Sequence, residues 1–184
     1  MTAKLSTRDQ DVLLVVDIQN DFCPGGGLAV PRSDEVVPLV NRLATRFGHV
    51  LLTQDWHPPG HLSFASTHPG RKPYDTIAAS YGPQILWPDH CVQATLGAEF
   101  RKDLEIAHAE LVLRKGYHPD IDSYSAFYEN TEGPVLDSRD ICGNASLRGS
   151  SSPGSRSISA SAIRRKMPSS RALTSLCSKM PAVP

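Results

Sequence analysis

The chain has 184 residues, and 19 Lys+Arg balance 19 Asp+Glu to give zero formal net charge. That length fits one domain with a real core. Neutral charge and the lack of a patterned basic face argue against nucleic-acid or anionic-membrane binding, and no apolar run approaches the ~20 residues of a membrane span.

The first ten residues contain no apolar h-region, so no export signal is expected. Cys23, Cys91, Cys142 and Cys177 show no paired spacing. Together these features point to free thiols in a reducing cytoplasm.

Taken in chain order, Asp11-Val-Leu-Leu-Val-Val-Asp17 is a continuous apolar run ending in an acid, the pattern of a buried parallel strand. Ser33 to Phe47 carries apolar residues at Val36, Val37, Leu39, Val40, Leu43, Ala44 and Phe47, which is helical spacing behind a Ser/Asp start signal. Val50-Leu-Leu-Thr-Gln-Asp55 predicts a second strand and Leu111-Val-Leu-Arg-Lys115 a third. Strand, helix, strand implies right-handed crossovers and an α/β fold with a mainly parallel sheet. In such sheets ligands bind beyond the carboxyl ends of the strands, where Asp17, Asp55 and Lys115 all fall. There is no internal repeat.

Asp55-Trp-His57-Pro-Pro-Gly-His61, followed by Trp87-Pro-Asp-His90-Cys91, gathers one carboxylate and three imidazoles in a Pro/Gly-rich setting. Asp55 and His57 are two apart, so an extended strand end points both the same way. Carboxylate plus imidazole ligation suits one divalent ion such as zinc, iron or manganese. Any one of these histidines alone reads better as a surface residue than as a ligand; the clustering is what favours a metal. Asp17 alone reads as a turn cap, and Lys115 alone as a solvated rim charge. Together they suit an acid/base pair that activates a nucleophile. A close lysine lowers an acid's pKa and burial raises it, a balance that the sequence leaves open.

Four motifs in order carry a family resemblance: Val16-Asp17-Ile-Gln-Asn-Asp-Phe22-Cys-Pro-Gly-Gly; Gln54-Asp-Trp-His-Pro58 with Ser63-Phe-Ala65; Trp87-Pro-Asp-His-Cys-Val92; and Lys115-Gly116 with Tyr124-Ser-Ala-Phe127. From about Asp11 to Asn130 the chain resembles the nicotinamidases (pyrazinamidases), the metal-dependent branch of the isochorismatase-like cysteine hydrolases. The resemblance implies a three-layer α/β sandwich. It also implies hydrolysis of nicotinamide to nicotinate and ammonia, a step of NAD salvage, through a thioester on a cysteine. By the same resemblance Asp17 is the general base and Lys115 stabilises the anionic groups. Asp55, His57 and His90 bind the metal that holds the pyridine nitrogen. His61 falls where some members have a further ligand. Phe22 and Trp87 would sandwich the pyridine ring, although each also reads as core packing. Oligomeric state is left open, a homo-oligomer included.

Residues 1–130 thus read as the hydrolase domain and 131–184 as an anomalous Ser/Arg/Pro-rich tail, incomplete or disordered as a fold. The family's nucleophile segment, resembling Gly-Leu-Ala-x-Asp-x-Cys-Val, has no in-frame counterpart. Cys142 lacks that context, Cys23 and Cys91 belong to other motifs, and Cys177 lies deep in the tail. In another frame, however, the codons of Ser152 to Pro168 permit Leu-Ala-Gly-Leu-Ala-Leu-Asp-Phe-Cys-Val-Arg-Tyr-Ser-Ala-Glu-Asp-Ala. Arg139 to Ala145 and Ser178 to Pro184 permit family-like segments in the same frame. The expectation is a frameshift near residues 130 to 135, from a sequencing error or a genuine mutation, and an inactive product if the chain is made as written. The alternatives are a hydrolase of another small amide and a non-catalytic metal-binding remnant.

Overall fold

A computed structural model describes residues 7–9 and 11–131, all within one unit of the chain, Met1–Ser150. The expected tail, apart from Thr131, and with it the shifted frame, Cys142 and Cys177, lies outside the described residues.

Three parallel strands form the central sheet: β1 (Val12–Val15), β2 (His49–Asp55), and a strand at Leu111–Lys115. The last follows an antiparallel hairpin, β3 (Thr76–Ala79) and β4 (Gly82–Ile85), so it is β5. The sheet order is β1-β2-β5, with Leu14 opposite Leu51, Thr53 opposite Leu113, and Asp55 opposite Lys115. All three expected strands and the parallel arrangement are present. β1 differs in burial: only Val15 is buried, and Val16 beyond it is exposed. Among the described strands β1 has a single neighbour, β2.

The helix also follows the sequence, with two corrections. A 3-10 turn over Ser33–Glu35 leads into α1 (Val36–Ala44), which stops short of Phe47. The Ser33 hydroxyl does not cap the helix; it donates to the Phe22 carbonyl at 2.7 Å and ties the helix entrance to the first loop. Pro38 sits in the first turn, where no backbone N–H is needed. Val37, Val40, Ala44 and Phe47 face the core at helical spacing, while Val36 and Leu39 are exposed.

Strand alternation then sorts the sheet into two faces. Leu13, Val15, Val50, Leu52 and Val112 turn to the α1 side and join Ile18 and Ile106 in the core. Leu51, Thr53, Asp55, Leu111, Leu113 and Lys115 occupy the other side. The same two-residue period therefore puts Asp55 and Lys115 side by side at the sheet's carboxyl end. Among the described residues no helix is long and apolar enough to cross a membrane.

Candidate active site

Three strand ends meet here. β1 ends at Val15, and the chain turns sharply at Asp17, whose φ is 49°. Asn, Asp and Gly tolerate this left-handed region best. The turn aims the Asp17 carboxylate across β2. Its Oδ1 accepts from the Thr53 hydroxyl at 2.6 Å, and the Asp17 N–H donates to the same hydroxyl oxygen at 3.1 Å. Asp17 Oδ2 lies 2.9 Å from Lys115 Nζ, and Lys115 also pairs with Asp55 Oδ1. One buried ammonium thus bridges two carboxylates.

Burial opposes charge at all three groups, and the outcome differs at each. At Asp17 burial wins: it raises the carboxyl above its ordinary value against the pull of Lys115, and Asp55 adds to the rise. At Asp55 burial loses: Lys115 and His57 hold that carboxyl well below the usual range. Burial works to lower Lys115, but the two carboxylates outweigh it and keep the amine charged. Asp17 is therefore the carboxyl poised to exchange a proton, and Asp55 the one kept anionic.

Asp55 Oδ2 faces two imidazoles, 3.7 Å from His57 Nε2 and 3.9 Å from His90 Nε2. Both distances exceed a hydrogen bond. His57 Nδ1 lies 2.8 Å from the Gly116 carbonyl and His90 Nδ1 lies 2.8 Å from the Pro88 carbonyl. A carbonyl only accepts, so each Nδ1 carries a proton and each ring turns its Nε2 toward Asp55. Burial and the neighbouring His57 lower the pKa of His90, which keeps it neutral. Asp55, His57 and His90 each offer a ligand atom within 4.8 Å of the others, and all three are buried. One anionic oxygen and two oriented imidazole nitrogens fit a borderline divalent ion, with carbonyl partners fixing the ring tautomers as outer-shell groups do.

His61 stands apart from that set. Its Nδ1 is 2.8 Å from the Ser63 hydroxyl and its Nε2 3.3 Å from the Ile121 carbonyl. Nε2 therefore carries the proton, and Nδ1 accepts from Ser63. Its ligand-like neighbours are His57 and Asp122, rather than Asp55 and His90. Phe22 packs against His90, with ring centroids 5.6 Å apart. Trp87 meets Tyr124 and Tyr74 edge-on, and its indole N–H donates to the Tyr124 hydroxyl at 3.3 Å.

The sequence reading missed several supporting residues. Gln19 is fully buried and clamps Asp55: its Oε1 accepts from the Asp55 N–H and its Nε2 donates to the Asp55 carbonyl, both at 2.8 Å. Thr53, a polar residue inside an apolar strand, was the legible signal for the Asp17 contact. Gly116 has φ of 64°, and a Cβ there would fall 2.4 Å from His57 Cε1. Buried Phe64 lies against the His57, His61 and His90 rings. Gln84 is buried and links Tyr81, Asp122 and Tyr124.

Residues 11–132 match the isochorismatase domain model. The chain belongs to the isochorismatase family. Within that family it is 56% identical over 126 residues to a nicotinamidase of Acinetobacter baylyi, covering 68% of this chain and 59% of the relative. A solved nicotinamidase/pyrazinamidase of Acinetobacter baumanii superposes with a TM-score of 0.66 at 54% identity, over 68% of this chain and 60% of that one. A pyrazinamidase of Pyrococcus horikoshii in complex with zinc gives 0.52 at 37% identity, over 73% of this chain and 65% of that one. The chain thus spans under two thirds of the length of these isochorismatase-family relatives. The likeness supports the isochorismatase-like α/β fold expected from the sequence.

Proposed function

We propose that this chain carries the site of a metal-dependent amidase that hydrolyses nicotinamide to nicotinate and ammonia, a step of NAD salvage. One observation carries the reading. Asp17, Lys115 and Asp55 form a buried carboxylate–ammonium–carboxylate array at three parallel strand ends, and His57 and His90 turn their Nε2 atoms toward Asp55. The similarity to nicotinamidases supports the choice of amide.

In this reading Asp17 takes the proton of the attacking thiol, since its raised pKa makes it the better base of the two carboxylates. Lys115 stays charged and offsets the negative charge gathered around it. Asp55, His57 and His90 would hold one divalent metal, which supplies Lewis-acid orientation of the pyridine nitrogen when bound. Zinc is supported by the Pyrococcus horikoshii neighbour, and iron and manganese suit the same donors. Phe22, beside His90, and Trp87 would flank the ring. A reducing cytoplasm suits Cys23 and Cys91, both free thiols.

The nucleophile is the weak point of the literal chain. Both described cysteines are buried. Burial, reinforced by Asp55, Asp21 and Asp17, pushes the Cys91 thiol far up, away from the reactive thiolate. This favours the second reading, a metal-binding relative without amidase activity as written. Ammonia release from nicotinamide separates the two. The expected result is none from the 184-residue protein and metal-dependent turnover from a chain whose frame is restored after Asn130. Turnover by the 184-residue protein would overturn the inactive reading. No turnover by the folded, metal-loaded restored chain would overturn the amidase reading.

A further inference from the structure

Asp21 takes no part in the chemistry above, yet its carboxylate sits in a close-fitting cradle. It lies in the 3-10 turn Asn20–Phe22. Its Oδ2 accepts from the Cys91 N–H at 2.7 Å and its Oδ1 from the Gly27 N–H at 3.0 Å. A Cβ on Gly97 would fall 2.0 Å from that Oδ2, and one on Gly27 would fall 2.5 Å from the Asp89 carbonyl. Glycine at 97 leaves room for the carboxylate, and glycine at 27 lets the first loop close on the Asp89 backbone.

That peptide is held on both sides. Cys91 has φ of 47°, a left-handed conformation that non-glycine residues seldom adopt. Its N–H is bound by Asp21, and its carbonyl accepts from the His57 N–H at 3.0 Å. The His57 carbonyl in turn accepts from the Gln93 N–H at 2.8 Å. The turn after His90 is thereby pinned between the Asp21 side chain and the His57 backbone. Released from Asp21, Cys91 would lose the partner that holds its N–H in this turn, and a rotation there would carry His90 away from Asp55.

We propose that Asp21 is a positioning residue for the metal centre: by fixing the Cys91 peptide it sets the spacing of His90 from His57 and Asp55. The inference rests on the metal reading given above. It connects the first loop, through Phe22 and Asp21 together, to the third ligand.

The test uses the 184-residue protein with Asp21→Ala, Asp21→Asn, Asp55→Asn and, as an exposed control, Asp34→Asn. Zinc affinity is read by chelator competition, and ligand geometry by the visible absorption of the cobalt(II)-substituted protein. Asp21→Ala is expected to weaken zinc by about 10- to 100-fold, the usual effect of losing an outer-shell partner. Asp21→Asn, which keeps one acceptor oxygen, should fall between parent and Ala, and Asp34→Asn should match the parent. The cobalt bands should change in Asp21→Ala, which a loss of stability alone would not cause. Parent-like zinc affinity and cobalt bands in both Asp21 variants would overturn the proposal and leave the metal reading intact. No zinc binding by the parent, or unchanged binding in Asp55→Asn, would overturn the metal reading and the proposal with it. Asp21→Asn keeps the test open should Asp21→Ala fail to fold.

Discussion

The charged floor of the site and its hydrogen-bonded wall are built on different principles. The floor is Asp17, Asp55 and Lys115, three charged groups at the ends of β1, β2 and β5: strand alternation and register place Asp55 and Lys115, and the left-handed turn after β1 brings Asp17 to them. The wall is the β3–β4 hairpin and the loop from Asp122 to Tyr124, joined through Gln84. It contains a hydrogen-bonded group of Tyr81, Gln84, Asp122 and Tyr124, with Trp87 at its rim. Charges at strand ends need only local geometry to come together. Hydrogen-bond partners far apart in sequence need the hairpin to be folded and docked first. The floor should therefore fail through electrostatics and the wall through loss of hydrogen-bond partners.

The sharpest way to break that contrast is Lys115→Met. It leaves two buried carboxylates facing each other without a cation, for an expected loss of about 3–5 kcal/mol. Urea denaturation of the variant checks this, and an unchanged midpoint would mean that the floor is not held by charge. Next comes Gly116→Ala. A methyl group at a left-handed position, aimed at the His57 ring, should cost about 1–3 kcal/mol and also weaken zinc binding. A stability loss with full zinc affinity would show that the ring can yield. Gln84→Leu probes the wall. Orphaning the Tyr81 and Asp122 groups should cost about 1–3 kcal/mol in the same assay. Zinc affinity should change less than in Gly116→Ala, because Gln84 itself bonds Tyr81, Asp122 and Tyr124 and not Asp55, His57 or His90.

The smallest effect concerns pH. In metal-free protein His90 stays neutral in the fold because burial, then His57, lowers its pKa, while the unfolded chain takes up a proton near about 6.5. The unfolded state then binds more protons. This contribution is present above pH ~6.5 and is lost as pH falls through the lowered folded value. Asp17, with a raised pKa, acts in the opposite sense, so the useful readout is a difference. Between pH 7 and pH 5 the parent should lose more thermal stability than His90→Asn. Equal losses would show that His90 is not held neutral by the fold.

The floor was legible in the sequence because its signals are local. An apolar run ending in Asp17, Asp55 or Lys115 states both a strand and the position of a charge. The pairing of His57 and His90 around Asp55 was also readable, from spacing and from motif order. The hairpin was not. Thr76 to Ile85 contains Ala, Gly and Pro, and only Gln84 in it is buried, so no apolar alternation announces strands. His61 shows the limit within a motif. Its ring lies among the other imidazoles, but Ser63 and the Ile121 carbonyl, sixty residues away, decide where its nitrogens point. No local pattern encodes that carbonyl.

Thr53 meets Asp17 twice with its one hydroxyl, donating to the carboxylate and accepting from the backbone N–H. These bonds run between neighbouring strands, so they exist only when β1 and β2 are aligned with Val15 opposite Leu52. A slip of a single position would turn Thr53 to a different partner and strip Asp17 of its support. The acid thereby doubles as a proofreading mark for sheet assembly. A misaligned molecule would lose the Asp17–Lys115–Asp55 array at the same moment as its alignment.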